Sequence, residues 1–288
     1  VLFRSVSAGF GATSVQIASA GVAATTDQYL AVGNGSQLTL SWTGDTLLTA
    51  SAVLDGRLAG VGAGAVNGDA NANLQINNAA ALLTFNGGAG NDVALVTAGG
   101  TLTFVGGAGN DAAVGGVGVD NFTGGAGADV LVLQNTRAVD AAVDTVNIAD
   151  GESTASAYDL IVGYVAGGGG DILNLDTTTV AAAAPNVNGT NAGKIQSHTI
   201  TGANGAVTFD IDDTNAFAAV NVGTAATGQV TLADALAYLA TNLNGTSATV
   251  TFQYDKNGDG AFTAADDSTF VFQDGAIDTV VELAGLYT

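Results

Sequence analysis

The chain has 288 residues, 47% of them hydrophobic, and a formal net charge of −21 from 26 acidic and five basic residues. A disordered acidic tail is excluded by that apolar content, and nucleic acid and anionic membrane surfaces are excluded as expected partners by the charge. Only Glu152 and Glu282 are glutamate, so the other 24 acids are aspartate, which suits turns and oxygen-ligand sites better than helices. Cysteine is absent, which removes disulfides, thiolate metal sites and thiol chemistry.

Val1 to Ser5 show no apolar signal-peptide core, and with methionine absent the chain is expected to be a processed product or a fragment. No run approaches a membrane span, so no membrane insertion is expected. Residues 6–67 alternate like strands at Val15 to Ile17, Tyr29 to Val32 and Gln37 to Trp42, in either a β-solenoid or a β-sandwich. From about Gly68 to Val132 the chain repeats. Leu83-Thr-Phe-Asn-Gly-Gly-Ala-Gly-Asn-Asp92 returns 19 residues later as Leu102-Thr-Phe-Val-Gly-Gly-Ala-Gly-Asn-Asp111, and from Gly106 the period is nine. The short apolar runs Leu82 to Phe85, Val93 to Val96, Leu102 to Val105 and Val130 to Leu133 read as strands of three to four stacked coils.

Beyond the repeats, Asn135 to Ser156 is polar and acidic, Tyr158 to Leu175 is strand-like, and Thr177 to Asn191 reads as a surface loop around the single proline, Pro185. A helix is expected from the N-cap Thr231 through the stripe Leu232, Leu236, Leu239 and Leu243 to the stop Asn244-Gly245. Strands follow at Ala248 to Tyr254, Thr269 to Gln273 and Thr279 to Leu283. The expected fold is mainly β: a parallel β-roll or β-solenoid with calcium-binding nonapeptide turns, then a smaller α+β region. The boundary falls at 145/146, with the roll at about 68–133.

The repeats match G-G-x-G-x-D-x-U-x, a nonapeptide recognised as calcium-binding in parallel β-helices. Its chemistry is intelligible: glycines take left-handed angles and turn carbonyls inward, and aspartate completes an all-oxygen shell that suits Ca²⁺. The candidate residues are Gly87, Gly88, Gly90 and Asp92; Gly106, Gly107, Gly109 and Asp111; Asp120; and Gly124, Gly125, Gly127 and Asp129. Copies 18 residues apart stack on one edge, so Asp111 and Asp129 are expected to share a site, with Asp92 beside Asp111 if residues 96–105 absorb one extra residue. Asp120 faces the other edge. Its expected stack partners, Thr97 to Leu102 and Leu133 to Ala138, carry no aspartate, which predicts a half-site. A flexible glycine-rich linker is the alternative reading. The inward U residues Ala94, Ala113, Phe122 and Leu131 include two small ones, which predicts a thin core.

A second cation pattern, D-x-[DN]-x-[DN]-G with an acid at position 12, spans Asp255 to Asp266. Asp255, Asn257, Asp259, Ala261 (through its carbonyl) and Asp266 would ligate, and Gly260 would make the turn. Strands rather than helices flank it, so the reading is a calcium-stapled hairpin, with an unmetallated turn as the alternative. Asp171, after Gly167 to Gly170, is a third candidate in a degenerate repeat, and Tyr158 to Val162 is read as a last rung or cap. No catalytic set is visible: the single histidine, His198, is read as a surface residue in a polar strand, and Trp42 as core.

Gly87 to Leu95 and Gly106 to Val132 resemble the calcium-binding RTX proteins exported by type I secretion. Ser268 to Leu286 is similar to the apolar, acidic tail of the self-assembling surface-layer proteins among them. The resemblance implies an uncleaved C-terminal export signal, unfolded transit, and folding outside the cell on Ca²⁺. The expected function is therefore an extracellular, cell-surface structural protein, a calcium-dependent subunit that assembles with copies of itself into a bacterial surface layer or filament. Lipopolysaccharide or another cell-surface polysaccharide is the anchoring partner that the family suggests. The alternative is the calcium-binding C-terminal part of a larger secreted enzyme or adhesin.

Overall fold

The computed structural model describes residues 37–41, 52–54, 63–67, 73–76, 82–96, 101–133, 142–176, 179–203, 205–212, 217–224 and 230–285. The strands expected at Val15 to Ile17 and Tyr29 to Val32, and Trp42, lie outside these residues. Two compact units divide the chain, one of residues 1–148 and 162–174, the other of 149–161 and 175–288. The first change of unit falls between residues 148 and 149, and the chain then returns to the first unit once, at 162–174.

Short strands follow one another along the first unit: β1 (Gln37–Ser41), β2 (Ala52–Leu54), β3 (Ala63–Asn67), β4 (Asn73–Ile76), β5 (Leu82–Ala89), β6 (Val93–Val96), β7 (Thr101–Ala108), β8 (Ala112–Val114), β9 (Asn121–Ala126), β10 (Val130–Val132) and β11 (Thr145–Ile148), and, after β12 (Asp159–Val162), which lies almost wholly in the second unit, β13 (Ile172–Leu175). Strands β1, β3, β5, β7, β9, β11 and β13 form one sheet in that order, and β2, β4, β6, β8 and β10 form a second ladder. The pairings registered within these ladders are parallel. Leu83 sits beside Leu102, and Phe104 beside Phe122, so the sequence periods of 19 and 18 are the pairing offsets themselves. The extra residue lies between β6 and β7, because Val93 to Thr103 takes ten steps where Ala112 to Asn121 takes nine.

Burial follows the pleat. Phe85, Phe104, Phe122 and Val146 stand in one register and are fully buried, with the Phe85 and Phe104 rings stacked at 5.5 Å. Ala94, Ala113 and Leu131 form the buried rank of the other ladder. The expected thin core is thus corrected: small residues on one ladder coexist with a phenylalanine rank on the other, each ring worth about 1.5–3 kcal/mol of burial. Along the exposed side of the first sheet, Asn174 donates to Asn147 and Asn147 to Asn121, a ladder of amides one residue per coil.

The second unit contains β14 (Ala184–Ala192), β15 (Ile195–Thr201), β16 (Ala206–Asp210), β17 (Val222–Gly223), α1 (Leu232–Asn242), β18 (Thr249–Asp255), β19 (Ser268–Gln273) and β20 (Thr279–Ala284). Its sheet runs β14-β15-β16-β18-β19-β20-β12. The β18-β19-β20 meander is antiparallel, and β12 joins β20 in parallel. Helix α1 starts at a capping box, with Thr231 Oγ1 accepting from the Asp234 N–H and Asp234 Oδ2 accepting from the Thr231 N–H. Its buried face, Ala235, Leu236, Tyr238 and Leu239, joins Phe209, Phe252, Phe270 and Phe272 in one core.

Two expectations change here. Thr177 to Asn191 is not all loop, because β14 starts at Ala184 and pairs with β15 through two register breaks. Pro185 is tolerated there because an edge strand leaves part of its N–H groups outside the ladder. His198 is buried, 4% exposed, and its Nδ1 lies 2.9 Å from Tyr238 Oη, since pleat alternation turns it toward the helix. The tail compared with an export signal folds as β19 and β20, buried along almost their whole length. Among the described residues no helix is long and apolar enough to cross a membrane.

Candidate metal centre

The nonapeptide turns follow from their glycines. Gly88, Gly90, Gly107, Gly109, Gly125 and Gly127, the second and fourth positions of three repeats, all have φ between 100° and 146°. A side chain there is strained, and at Gly109 and Gly127 a Cβ would overlap the carbonyl oxygen of the turn stacked below. The first glycine has a different task. A Cβ on Gly87, Gly106 or Gly124 would overlap Oδ2 of Asp92, Asp111 or Asp129, five residues on in the same repeat. The first glycine therefore makes room for the sixth-position carboxylate, which folds inward beneath its own turn.

Those carboxylates form a column. Asp111 Oδ1 accepts from the Asp92 N–H at 2.8 Å, and Asp129 Oδ1 accepts from the Asp111 N–H at 2.7 Å. Asn91 and Asn110 make a parallel ladder on the outside, each oxygen accepting from a backbone N–H of the next coil. Asp92, Asp111 and Asp129 are all buried, Asp111 to 2% exposure. Its Oδ2 is buried with no hydrogen-bond partner. Burial pushes this carboxyl up to about 6; the Asp92 N–H opposes the rise and the negative charge of Asp92 adds to it. A buried carboxylate oxygen left in this condition is a donor of the type that a hard cation takes.

On the opposite edge the expected half-site is corrected. Asp120 has an aspartate in register, supplied by Asp144, whose Oδ1 accepts from the Asp120 N–H at 2.8 Å. Asp171 continues the column, with Oδ1 accepting from the Asp144 N–H at 2.9 Å. Part of Leu133 to Ala138, the partner segment expected from an unbroken period, lies outside the described residues. Asp144 has no glycine turn before it, so the nonapeptide pattern misses it. Another signal was present: Asp120-Asn-Phe-Thr, Asp144-Thr-Val-Asn and Asp171-Ile-Leu-Asn share an acid, any residue, an apolar residue and then Thr or Asn.

The 255–266 loop joins antiparallel strands β18 and β19. Buried Asp255 accepts from the N–H groups of Gly258 and Gly260, both at 2.7 Å. Asn257 Nδ2 donates to Asp259 at 3.0 Å and to Asp266 at 2.9 Å, so three of the predicted ligands meet at one amide. Asp266 also bonds Thr263, and Asp267 holds the Lys256 and Thr263 N–H groups. Ala261 enters through its N–H, donated to Asp259. Lys256 reaches out of the loop to Glu282 at 2.8 Å, and that bond raises the lysine pKa.

Among the described residues no group of three or more His, Cys, Asp or Glu side chains is gathered as a ready metal cage. A cation at either place would take carbonyl oxygen or water besides carboxylate. Comparisons with protein families, curated proteins and solved structures returned no match.

Proposed function

We propose that the protein is a calcium-binding β-roll of the extracellular structural kind, ordered by Ca²⁺ and assembling with copies of itself into a surface layer or filament. The observation that carries the reading is the Asp92, Asp111 and Asp129 column, with the buried, partnerless Oδ2 of Asp111 at its centre. Burying an isolated carboxylate costs several kcal/mol, and a column of them repels itself. A divalent cation bound between coils turns that cost into folding free energy. Gly87, Gly88, Gly90, Gly106, Gly107, Gly109, Gly124, Gly125 and Gly127 would shape the turns, with carboxylates from the column holding the ion. The 255–266 hairpin is a second place for it, through Asp255, Asn257, Asp259, Ala261 and Asp266.

The reading suits a protein exported loose where calcium is scarce and folded where it is plentiful, with a cell-surface polysaccharide as its anchor. Circular dichroism tests the metal. Chelator should remove much of the β signal of this unit, with Ca²⁺ restoring it and Mg²⁺ doing so much less; an indifferent spectrum would sink the reading. Light scattering and electron microscopy test assembly. Protein that stays monomeric in saturating Ca²⁺ would leave the other reading, a calcium-binding portion of a larger secreted enzyme or adhesin. One observation favours that second reading: edge strand β14 carries Pro185 and two register breaks, features that blunt strand addition.

A further inference from the structure

The two edges of the ladder use the same residue type and satisfy it differently. At the centre of the first column, Asp111 accepts one backbone N–H, at Oδ1, and its Oδ2 has no partner. On the other edge, Asp120 accepts from Leu102 N–H at Oδ1, 2.5 Å, and from Gly116 N–H at Oδ2, 2.9 Å. Asp171 likewise accepts twice, from Asp144 N–H and from Val165 N–H at 2.7 Å. Asp144 joins the two by accepting one N–H at Oδ1, from Asp120, as Asp111 does from Asp92, so the contrast between the edges lies at Asp120 and Asp171. Five N–H donors therefore converge on three buried carboxylates. The turn itself differs: Gly116 and Gly118, at the second and fourth positions before Asp120, lack the positive φ of their counterparts on the first edge.

We propose that Asp120, Asp144 and Asp171 form a metal-independent spine that keeps one edge of the ladder in register, so that a cation is needed to close only the Asp92, Asp111 and Asp129 edge. The inference rests on the calcium reading for the first edge alone. At Asp120 and Asp171 two N–H dipoles each supply the positive charge that a cation supplies on the first edge, one donor to each carboxylate oxygen, and Asp144 is held between them. Three of the five bonds, from the N–H groups of Leu102, Asp120 and Asp144, run from one coil to the next and fix register between coils, while those from Gly116 and Val165 hold the carboxylate within its own turn. Calcium then meets a ladder already stacked along one side, which reduces the chain entropy that binding must overcome.

Amide hydrogen exchange on the full chain, in chelator and in saturating Ca²⁺, separates the outcomes. In chelator the amides of Leu102, Gly116, Asp120, Asp144 and Val165 should exchange about 100-fold more slowly than an unstructured chain, and Ca²⁺ should change them less than about threefold. Those of Asp92 and Asp111 should gain about 100-fold protection only with Ca²⁺. If the spine amides are unprotected in chelator and become protected with Ca²⁺, the spine is overturned and the calcium reading stands. If they are protected in chelator and Ca²⁺ leaves Asp92 and Asp111 unchanged, the spine stands and the calcium reading fails. Asp144→Ala supplies a second check: it should lower the urea midpoint equally with and without Ca²⁺, and loss of the calcium-induced shift in that variant would count against the spine.

Discussion

Replacing Asp111 by asparagine should stabilise the calcium-free protein at neutral pH and destroy its response to calcium. Asparagine keeps an oxygen for the Asp92 N–H and removes the buried charge. The folded-state pKa of Asp111, about 6, lies above the ordinary 3.8. The folded state thus holds the proton more tightly than the unfolded one, and stability from this group is full below about pH 4 and is lost as pH rises toward 6. The whole shift corresponds to at most about 3 kcal/mol, or on the order of 2 kcal/mol after solvent screening. With a urea slope of about 2 kcal/mol/M, the variant's midpoint should lie about 1 M above the parent's at pH 7.5 in chelator. At pH 4 the two should coincide. In Ca²⁺ at about 100 times Kd the parent should gain about 2.7 kcal/mol and overtake the variant. Urea unfolding followed by circular dichroism, at both pH values with and without Ca²⁺, reads all four points. A variant weaker than the parent in chelator at pH 7.5, or a gap that ignores pH, would refute the reasoning.

Gly109→Ala should cost about 3 kcal/mol or more, from a positive φ and a Cβ overlapping the Gly90 carbonyl, whereas Gly168→Ala, with open space around it, should stay within about 0.5 kcal/mol; thermal melts compare them. His198 is held neutral because burial lowers its pKa, so its contribution is present above pH 6.5 and lost as pH falls below, and near-UV dichroism of the second unit should weaken in that range in the parent and not in His198→Gln. Thr231→Ala should cost about 1 kcal/mol by removing the capping box, read as a lower urea midpoint for the helical signal. Glu282→Ala should destabilise more than Lys256→Ala in the same assay, because it also strips Ser268 Oγ of its buried acceptor, whereas the lysine is half exposed.

Local chemistry was legible in the amino acids. The nine-residue rhythm marked the left-handed glycines of the first edge, though not their absence at Gly116 and Gly118, and it marked which acid turns inward and which apolar residues alternate into strands; Thr231 and the leucine stripe placed the helix. Each of these is decided within one turn or one coil. Parallel pairing is not so confined, since it joins residues 18 to 27 positions apart, and an insertion between coils shifts the partner without leaving a local trace. For that reason Asp144, with no glycines before it, emerged as the partner of Asp120 only in the folded ladder. The polar flanks of His198 suggested a surface residue, yet sheet-on-helix packing gave it Tyr238. The apolar tail resembles an export signal in sequence, and only the sheet order shows that it also forms core strands. The sequence by itself determined the turns and their carboxylates; the tertiary structure decided which carboxylates stack, because strand register depends on everything inserted between coils.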